Sequence, residues 1–554
     1  MPKIPFWVFI LLALLHLSAI RIDTMDVDAS QYAEMSREMM LSGDHLHLYD
    51  RGAEYLDKPP FLFWVSSASM KVFGVNNLGY KLPSILFAFL AMYATYRLAK
   101  LLYNEATGRM AALILGTCQG MFLMTNDIRC DTILMAWVIT AIWAIKECEI
   151  KRRWQFVLLG VLSIACGMMT KGPIALMVPA FCFGSEWVLK RKWKNIFNPW
   201  HLLDLLLIAI LLIPMSIGLY QQFDMHPEKT VNGLQHVSGL RFFYWSQSFG
   251  RITGESPWQN GADISFLLVN MLWSFLPWIF LLLIALAINI STLIKQKFRL
   301  QDGQEWITTG GFLLAYLSLG SSRYQLPHYI FVAFPLAAII VAKLLKDFFE
   351  AEKYKRLYTI IKPAMGIIIL LLFFAILVLI TYIFPSGIFA IVIWILSFAA
   401  WLYIAFKKNI PGKMLWVAAS GMMFLNIFVT HFFYAPLLQY QMGSQLGRFI
   451  NPGSNPEDKI IAYRAITVYK VGDPLNSLPF YAERVIKSSD SLPNASNSYI
   501  ITMDDGIADL QQKGYAFDII KKGERFKVSE LTPEFINPKT RSKAVNNYYL
   551  VRLR

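Results

Sequence analysis

Carboxylates and a lysine cluster in a short polar stretch of the chain that is suited to ionic chemistry. Asp26 and Asp28 open the segment DVDASQYAEMSREMM, while Asp57 and Lys58 stand in the later segment YLDKPP. The stretch follows an apolar run, residues 6–20, that resembles a membrane helix. Ionisable side chains beside a membrane usually serve binding or catalysis, because placing them there is costly. The sequence therefore predicts a site at a membrane surface.

Two helical patterns surround these charged residues. Residues 29–40 are predicted to form a helix with one apolar face, which is typical of a helix lying in the membrane interface. Asp28 immediately precedes this helix. Pro59 and Pro60 suit the start of a second helix, with Lys58 at its entrance. A helix N-terminus beside an ammonium group attracts phosphate, because unpaired N–H groups and the positive charge act together.

Two later turns add charges of both signs. The turn NDIRCD supplies Asp127, Arg129 and Asp131, and the turn TKGP supplies Lys171. Taken singly, these carboxylates also suit helix capping, and the lysine suits contact with lipid phosphates. Their recurrence on the membrane face that is poor in basic residues favours a shared functional site.

The elements that must position these residues are membrane helices. Hydrophobic residues make up 56% of the 554 residues and charged residues only 16%, which is unlike a soluble domain. We predict a polytopic α-helical protein with about thirteen transmembrane helices, and interfacial helices in the first exposed loop. The predicted spans are 6–20, 80–102, 110–125, 132–150, 156–169, 173–189, 202–220, 264–290, 306–320, 329–345, 361–384, 387–406 and 414–433.

The basic residues predict an orientation. The net charge is +15, but lysines and arginines lie largely at alternate ends of the spans, as the positive-inside rule requires, so no nucleic-acid partner is predicted. The N-terminus is then cytoplasmic, and the first apolar run is a retained anchor because no small-x-small cleavage site precedes Arg21. The five cysteines lack metal-ligand spacing and are predicted to pack within the helices.

Two domains are predicted. Residues 1–435 form the membrane domain, with exposed loops 21–79 and 221–263, and residues 436–554 form a small soluble α/β domain outside the cytoplasm. In the second domain, strand patterns cover 459–463, 498–502, 517–520 and 548–553, and residues 504–514 have helical polarity. This region contains no catalytic motif.

Further polar residues stand in the exposed intervals. The loop 221–263 carries His226, Arg241, Tyr244, Gln247, Arg251 and Glu255, and it is either a wall for a sugar or acceptor or a simple cover over a cavity. A later segment, RYQLPHYIFVAFP, runs from Arg323 and contains Tyr329. His226 and His328 are far apart, so no metal site is predicted, although the carboxylates leave room for a divalent cation.

The motifs together resemble a known family. DASQYAEMSREMM, YLDKPP, RCD, TKGP and RYQLPHYIFVAFP occur in the order found in the bacterial aminoarabinose transferases and their protein O-mannosyltransferase relatives, which are GT-C glycosyltransferases. The resemblance implies transfer of a sugar from an undecaprenyl or dolichyl phosphate to lipid A, a glycan or a protein. It also implies a bacterial inner-membrane enzyme, bathed in membrane lipids, with no required cofactor.

The resemblance also implies roles for particular residues. Asp28 matches the catalytic aspartate and would take the acceptor proton, while Lys58 would neutralise the departing phosphate. Ala29 stands where the family has a glutamate, which leaves the acceptor open. The full set of implied site residues is catalytic Asp28, Lys58 and Asp131; donor phosphate-binding Lys58, Lys171, Arg129 and Tyr329; and supporting or acceptor-binding Asp26, Asp57, Asp127, Arg251, Glu255 and Arg323.

The chemistry is consistent with these residue types. A lipid phosphate leaves as an anion at neutral pH, so one base and fixed cations suffice, and attack opposite the phosphate inverts the anomeric centre. A lipid or solute transporter is the competing class, but transporters place their charges near the bilayer midplane, whereas these lie at span ends. A nonenzymatic assembly protein is the third reading. Within the enzyme class, transfer of a hexose or mannose to protein or glycan is the alternative to aminoarabinose transfer.

Overall fold

The chain is helical over most of its length and ends in a small sheet. The computed structural model describes residues 2–231, 233–256, 258–350, 354–453, 460–464, 476–489, 491–492 and 498–554. The longer helices are α1 (Phe6–Ser18), α2 (Asp28–Ser42), α3 (Phe61–Phe73), α4 (Asn77–Leu102), α5 (Glu105–Thr117), α6 (Gln119–Asn126), α7 (Cys130–Lys151), α8 (Trp154–Lys171), α9 (Ile174–Leu189), α10 (Trp200–Leu211), α11 (Ser265–Ser274), α12 (Ile279–Lys295), α13 (Ile307–Gly320), α14 (Phe334–Glu350), α15 (Lys355–Val378), α16 (Gly387–Phe406), α17 (Lys413–Phe428), α18 (Met442–Gly453) and α19 (Asp504–Gln512).

Short helical turns and seven strands complete the described elements. The turns are Ala19–Arg21, Trp193–Ile196, Ile213–Leu219, Tyr220–Asp224, Gly239–Arg241, Phe242–Ser246, Phe249–Thr253, Pro327–Ala333, Leu379–Ile383, Val429–Tyr434, Ala435–Leu437, Leu438–Tyr440, Leu478–Ala482, Pro533–Ile536 and Arg541–Ala544. The strands are β1 (Tyr49–Asp50), β2 (Ala53–Glu54), β3 (Ile460–Tyr463), β4 (Lys487–Ser489), β5 (Tyr499–Met503), β6 (Phe517–Arg525) and β7 (Asn546–Leu553).

The helices are those of a polytopic membrane protein. Each of the thirteen apolar stretches predicted above is helical, in one piece or in two. Among the described residues, six helices are long and apolar enough to cross a membrane, or seven if the bent pair Trp193–Leu211 and Ile213–Asp224 is one span. The number of thirteen crossings therefore stays a prediction.

Three of the predicted spans are interrupted, and two of the interruptions support each other. Residues 110–125 break at Cys118, residues 202–220 bend at Leu212 before a proline, and residues 264–290 break around Leu276. At two of these breaks, the backbone N–H of Gln119 donates a hydrogen bond to the carbonyl of Leu276 at 3.1 Å. A membrane helix can break only where its freed backbone groups find partners inside the protein, and here each break provides one for the other.

The first loop differs from expectation in its surroundings. Helices α2 and α3 match the predicted segments closely, but α2 is buried on both faces rather than resting in the interface. Glu34 and Arg37 form a buried ion pair of 2.6 Å, and Arg37 donates a further hydrogen bond to the carbonyl of Glu483 at 3.0 Å. The polar face of α2 is therefore covered by the C-terminal part of the chain, a contact that the local sequence pattern does not contain.

The C-terminal sheet has five strands in the order β4-β3-β5-β7-β6. Strands β3, β4 and β5 are mutually parallel, whereas β5–β7 and β6–β7 are antiparallel. The predicted strands and the helix α19 are present, and β4 was not predicted. An α/β layer is thus formed, while its separation from the membrane domain at residue 436 stays a prediction.

Side chains from this C-terminal region hold the first loop in place. The Gln441 amide accepts a hydrogen bond from the backbone of Asp26 at 2.8 Å and donates one to the carbonyl of Thr24 at 2.9 Å. The Asp26 carboxylate is buried and accepts hydrogen bonds from Ser30 at 2.7 Å and Ser477 at 3.3 Å. Helix α2 begins at Asp28, two residues after Asp26, so these contacts fix the position of Asp28.

We expect Asp26→Ala to destabilise the fold by about 1–3 kcal/mol, because it removes the acceptor of the buried Ser477 hydroxyl and one of the two acceptors of the Ser30 hydroxyl. The thermal unfolding midpoint of the detergent-solubilised protein measures the effect. Glu255→Ala is the matched control, since Glu255 is an exposed carboxylate, and it should leave the midpoint unchanged. Equal midpoints for Asp26→Ala and the unmodified protein would show that Asp26 does not anchor the loop.

Candidate active site

The candidate site lies where several helix ends meet. Helix α7 packs against α8, α9 and the turn Pro327–Ala333, so the start of α7, the end of α8 and this turn come together. Asp131 is in the first turn of α7, Lys171 is the last residue of α8, and Tyr329 is in the turn. The loop before α3 adds Lys58. Residues far apart in sequence are thus gathered at one end of the bundle.

A cavity opens among these elements, with an empty volume of about 810 Å³. Its described lining contains three basic side chains, Lys58, Lys171 and Arg251, and no acidic one. Much of the rest is apolar: Leu134, Ile174, Met177, Phe249, Ile252, Leu319 and Val332. A cavity that joins cationic groups to an apolar wall suits a ligand with an anionic head and a hydrocarbon tail.

Arg129 joins two carboxylates near Lys58 of this cavity, since one of them, Asp28, lies close enough to raise the pKa of the Lys58 ammonium group. Its Nη1 donates to Oδ2 of Asp28, and its Nε donates to Oδ2 of Asp127 at 2.8 Å. Burial opposes the charge of Arg129, but Asp127 and Asp28 raise the pKa of the guanidinium above its usual range. Among the described residues, Oδ1 of Asp28 has no hydrogen-bond partner, so Arg129 orients this carboxylate and leaves one oxygen open.

Asp131 is enclosed by basic and aromatic groups. Lys171 Nζ lies 2.5 Å from its Oδ1, and His328 Nε2 lies 3.6 Å from its Oδ2. Lys171 also lies over the ring of Tyr329, 4.2 Å from the centroid. The ammonium group is therefore held at the cavity wall by a carboxylate on one side and an aromatic face on the other.

Tyr329 is held in turn by Arg251. Arg251 Nη1 donates a hydrogen bond to the Tyr329 hydroxyl at 2.6 Å, and its guanidinium lies 5.0 Å from the ring centroid of Tyr324. The backbone N–H of Arg323 donates to the Arg251 carbonyl at 3.0 Å. The loop 221–263 thus contributes a basic residue to the cavity wall.

Lys58 differs from the other two basic residues of the cavity lining in its hydrogen bonds and ion pairs. Within the described part of the chain its ammonium group forms no hydrogen bond or ion pair, and its loop is fixed by Gln247, which donates to the Asp57 carbonyl at 2.7 Å. Burial lowers the pKa of Lys58, but nearby Tyr329 and Asp57 raise it by more, and the net shift is upward. Lys58 is therefore a charged group whose donors are available to a ligand.

The structure brings most, but not all, of the predicted site residues together. Asp28, Lys58, Asp127, Arg129, Asp131, Lys171, Arg251 and Tyr329 converge, and Asp57 is adjacent to Lys58. Asp26 instead binds Ser30 and Ser477, as described above. Glu255 is exposed and accepts a hydrogen bond from Trp245 at 2.9 Å. Within the described residues, the backbone N–H of Arg323 forms the hydrogen bond that joins this residue to the cluster.

Some neighbours were not predicted. The sequence assigns no role in the site to His328, and the structure places its ring beside Asp131. Ser248 and Ser322 line the cavity, but isolated serines carry no signal in a sequence. Within the described residues, no group of three or more His, Cys, Asp or Glu side chains is arranged to hold a metal ion, and participation of a divalent cation stays a prediction.

Comparison with known proteins supports the resemblance seen in the motifs. Residues 57–217 match the family described as dolichyl-phosphate-mannose-protein mannosyltransferase. An undecaprenyl phosphate-alpha-4-amino-4-deoxy-L-arabinose arabinosyl transferase from Edwardsiella ictaluri is 27% identical over 57% of this chain and 54% of that protein. A protein of the same name from Photorhabdus laumondii is 24% identical over 73% of this chain and 71% of that protein.

A solved structure extends the likeness to nearly the whole chain. The crystal structure of ArnT from Cupriavidus metallidurans bound to undecaprenyl phosphate matches with a TM-score of 0.71, covering 98% of each chain at 16% identity. The protein is aminoarabinose transferase-like in sequence and fold. The resemblance inferred from the motifs is thereby confirmed. The chain spans only about half of the length of the Edwardsiella ictaluri relative.

Proposed function

We propose that this aminoarabinose transferase-like protein is an inverting glycosyltransferase that uses a polyprenyl-phosphate sugar as donor. The observation that carries the proposal is the cavity in which Lys58, Lys171 and Arg251 face a space with an apolar wall. Undecaprenyl phosphate, which is bound in the similar ArnT structure, has that combination of an anionic head and a long hydrocarbon chain.

The donor phosphate binds at the basic end of the cavity. Two unit charges about 4 Å apart attract by about 1 kcal/mol in water but by about 4 kcal/mol at an effective dielectric constant of 20. Lys58 supplies the free ammonium group, while Lys171 and Arg251 are already positioned by Asp131 and Tyr329. The isoprenoid chain lies along Ile174, Met177, Ile252, Leu319 and Val332.

Asp28 is the base that accepts the proton of the acceptor hydroxyl. Its side chain is 35% exposed, whereas Asp127 is 7% exposed and Asp131 is 3% exposed, so an acceptor can reach only the first of these carboxylates directly. Arg129 holds one oxygen of Asp28 and leaves the other for the proton. Asp131, which the resemblance makes catalytic, acts through Lys171 and is a positioning residue in this proposal.

The reaction follows from this arrangement. The acceptor oxygen forms a bond to the anomeric carbon while the bond from that carbon to the phosphate oxygen breaks, and the proton passes to Asp28. The phosphate leaves as an anion paired with Lys58, so it needs no proton donor. Attack from the face opposite the phosphate inverts the anomeric centre, and no covalent sugar-enzyme intermediate forms. No cofactor is required.

Aminoarabinose transfer to lipid A is the first candidate, because both curated relatives carry that sugar in their names. Transfer of mannose or another hexose to a protein or glycan is the second, because the matched family model describes it. The protein lies in the bacterial inner membrane with its N-terminus in the cytoplasm and residues 436–554 in the periplasm. These assignments are inferred from the distribution of lysine and arginine along the sequence.

The test is transfer by the purified, lipid-reconstituted protein. Undecaprenyl phosphate carrying labelled aminoarabinose or mannose is supplied with lipid A or with membrane protein as acceptor. We expect label in one acceptor with release of undecaprenyl phosphate, and inverted configuration at the new bond. Label that crosses the vesicle membrane without joining an acceptor would support the transporter class instead. Absence of both transfer and flux, with donor binding lost, would overturn the enzyme assignment.

A further inference from the structure

A second groove lies within the membrane region, between α15, α16 and α17. Its empty volume is about 1180 Å³, larger than that of the candidate active site. Two lysines stand on it, Lys362 from α15 and Lys413 at the start of α17. Lys362 is exposed and Lys413 is half-buried. Among the described residues neither ammonium group forms a hydrogen bond or an ion pair.

The walls of this groove are apolar and open to the membrane. Ile367 and Leu370 of α15 are 56% and 43% exposed, and Phe406 at the end of α16 is 77% exposed. Gly366 faces open space, since a Cβ built there would meet no atom within 4 Å. The complete set of described lining residues is Tyr358, Thr359, Lys362, Pro363, Gly366, Ile367, Leu370, Trp401, Leu402, Ala405, Phe406, Lys413, Met414 and Val417. The groove can therefore hold a hydrocarbon chain beneath two cations.

The charge of the region selects the sign of the head group. Residues 354–453 contain no Asp or Glu, whereas six of their basic residues lie at one end of these three helices. Those residues are Lys355, Arg356, Lys362, Lys407, Lys408 and Lys413. Each lysine or arginine at a membrane surface favours an anionic lipid over a zwitterionic one. A negatively charged head group is the complement of this surface.

This groove is separate from the candidate active site. Its lysines lie toward the beginning of α17, where Gly412 adjoins Pro2. Beyond the other end of α17, the hydroxyl of Thr430 accepts a hydrogen bond from Asn126 at 3.3 Å, and Asn126 immediately precedes the Asp127 of the site. The two cavities are thus at opposite ends of the bundle, and the groove cannot be part of the donor cavity.

We propose that the groove between α15, α16 and α17 binds an anionic phospholipid, with its phosphate on Lys362 and Lys413 and an acyl chain along Ile367 and Leu370. The lipid fills the apolar space between these helices and so stabilises this side of the bundle. The inference does not depend on the proposed transferase activity.

The experiment measures lipid retained by the full chain after detergent exchange into mixed phosphatidylglycerol and phosphatidylethanolamine, using native mass spectrometry. We expect phosphatidylglycerol to be retained in preference to phosphatidylethanolamine, and retention to fall at least about tenfold in Lys362→Ala/Lys413→Ala. Lys407→Ala/Lys408→Ala is the matched control, because it removes the same charge at the same end but outside the groove lining. It should lower retention much less.

A second variant tests the acyl chain without changing charge. Gly366→Leu fills the open space and raises helix propensity, so it should fold and should also reduce retention. The proposal is overturned by equal retention of the two phospholipids, by equal loss in both lysine pairs, or by full competition from soluble glycerol phosphate. That last result would show a site for a free anion. Dimers seen in place of bound lipid would show that a second copy covers the groove.

Discussion

Sugar transfer should fall between about 10²- and 10⁴-fold when Asp28 is replaced by asparagine, which is the usual contribution of a general base. Asparagine has nearly the same shape and retains an oxygen that can accept the hydrogen bond from Arg129, so the local fold should persist. It lacks the negative charge needed to take a proton from the acceptor hydroxyl. Single-turnover transfer with saturating donor measures the rate, and binding of undecaprenyl phosphate should change little.

Asp127→Asn is the control for this result. Asp127 contacts the same arginine at 2.8 Å, but its side chain is only 7% exposed, so an acceptor does not reach it. This variant removes the same charge from the same guanidinium while keeping the open oxygen of Asp28. If Asp127→Asn lost more activity than Asp28→Asn, the assignment of Asp28 as the base would be wrong.

Replacing Lys58 by methionine should weaken donor binding and lower the rate of transfer by about 10²- to 10³-fold, the range seen when one preorganised charge-stabilising group is removed. Methionine keeps the length of the side chain and loses its charge. Because the Lys58 ammonium has no ion-pair partner within the described residues, its removal leaves no buried carboxylate unpaired. The affinity for undecaprenyl phosphate and the single-turnover rate are measured together.

Lys71→Met is the control, since Lys71 is an exposed lysine in the last turn of α3, the helix that follows Lys58. Lys171 is less suitable for this test. Its removal would leave the buried Asp131 without its cation, and the loss of a buried partner destabilises a protein by several kcal/mol. If Lys58→Met bound undecaprenyl phosphate with unchanged affinity and transferred sugar at an unchanged rate, Lys58 would be excluded from the phosphate site.

Local sequence patterns predicted the helices well and their surroundings poorly. The helix at 387–406 has the predicted bounds, and a helix begins after Pro60 as predicted, because apolar length and proline act within a few neighbouring residues. The break at Cys118 was not predicted. At this break the backbone N–H of Gln119 donates a hydrogen bond to the carbonyl of Leu276, more than 150 residues away. The hydrophobic periodicity of one segment does not indicate such a distant partner.

The candidate site shows the same division. The motifs identified Asp28, Lys58, Asp131 and Lys171 as residues of one site, and the structure brings them to one end of the bundle. The roles of neighbouring carboxylates could not be separated in this way. Asp26 and Asp28 are two positions apart, yet one is buried against serines and the other is held by an arginine beside the cavity.

The sequence by itself determined that this is a helical membrane protein with ionic groups at span ends, because hydropathy and charge are properties of each segment alone. It also carried the motifs of the aminoarabinose transferases. Only the tertiary structure decided which carboxylate is open, which cations share a cavity, and how the C-terminal residues hold the first loop. Burial and pairing depend on contacts between distant segments, and those contacts exist only once the chain has folded.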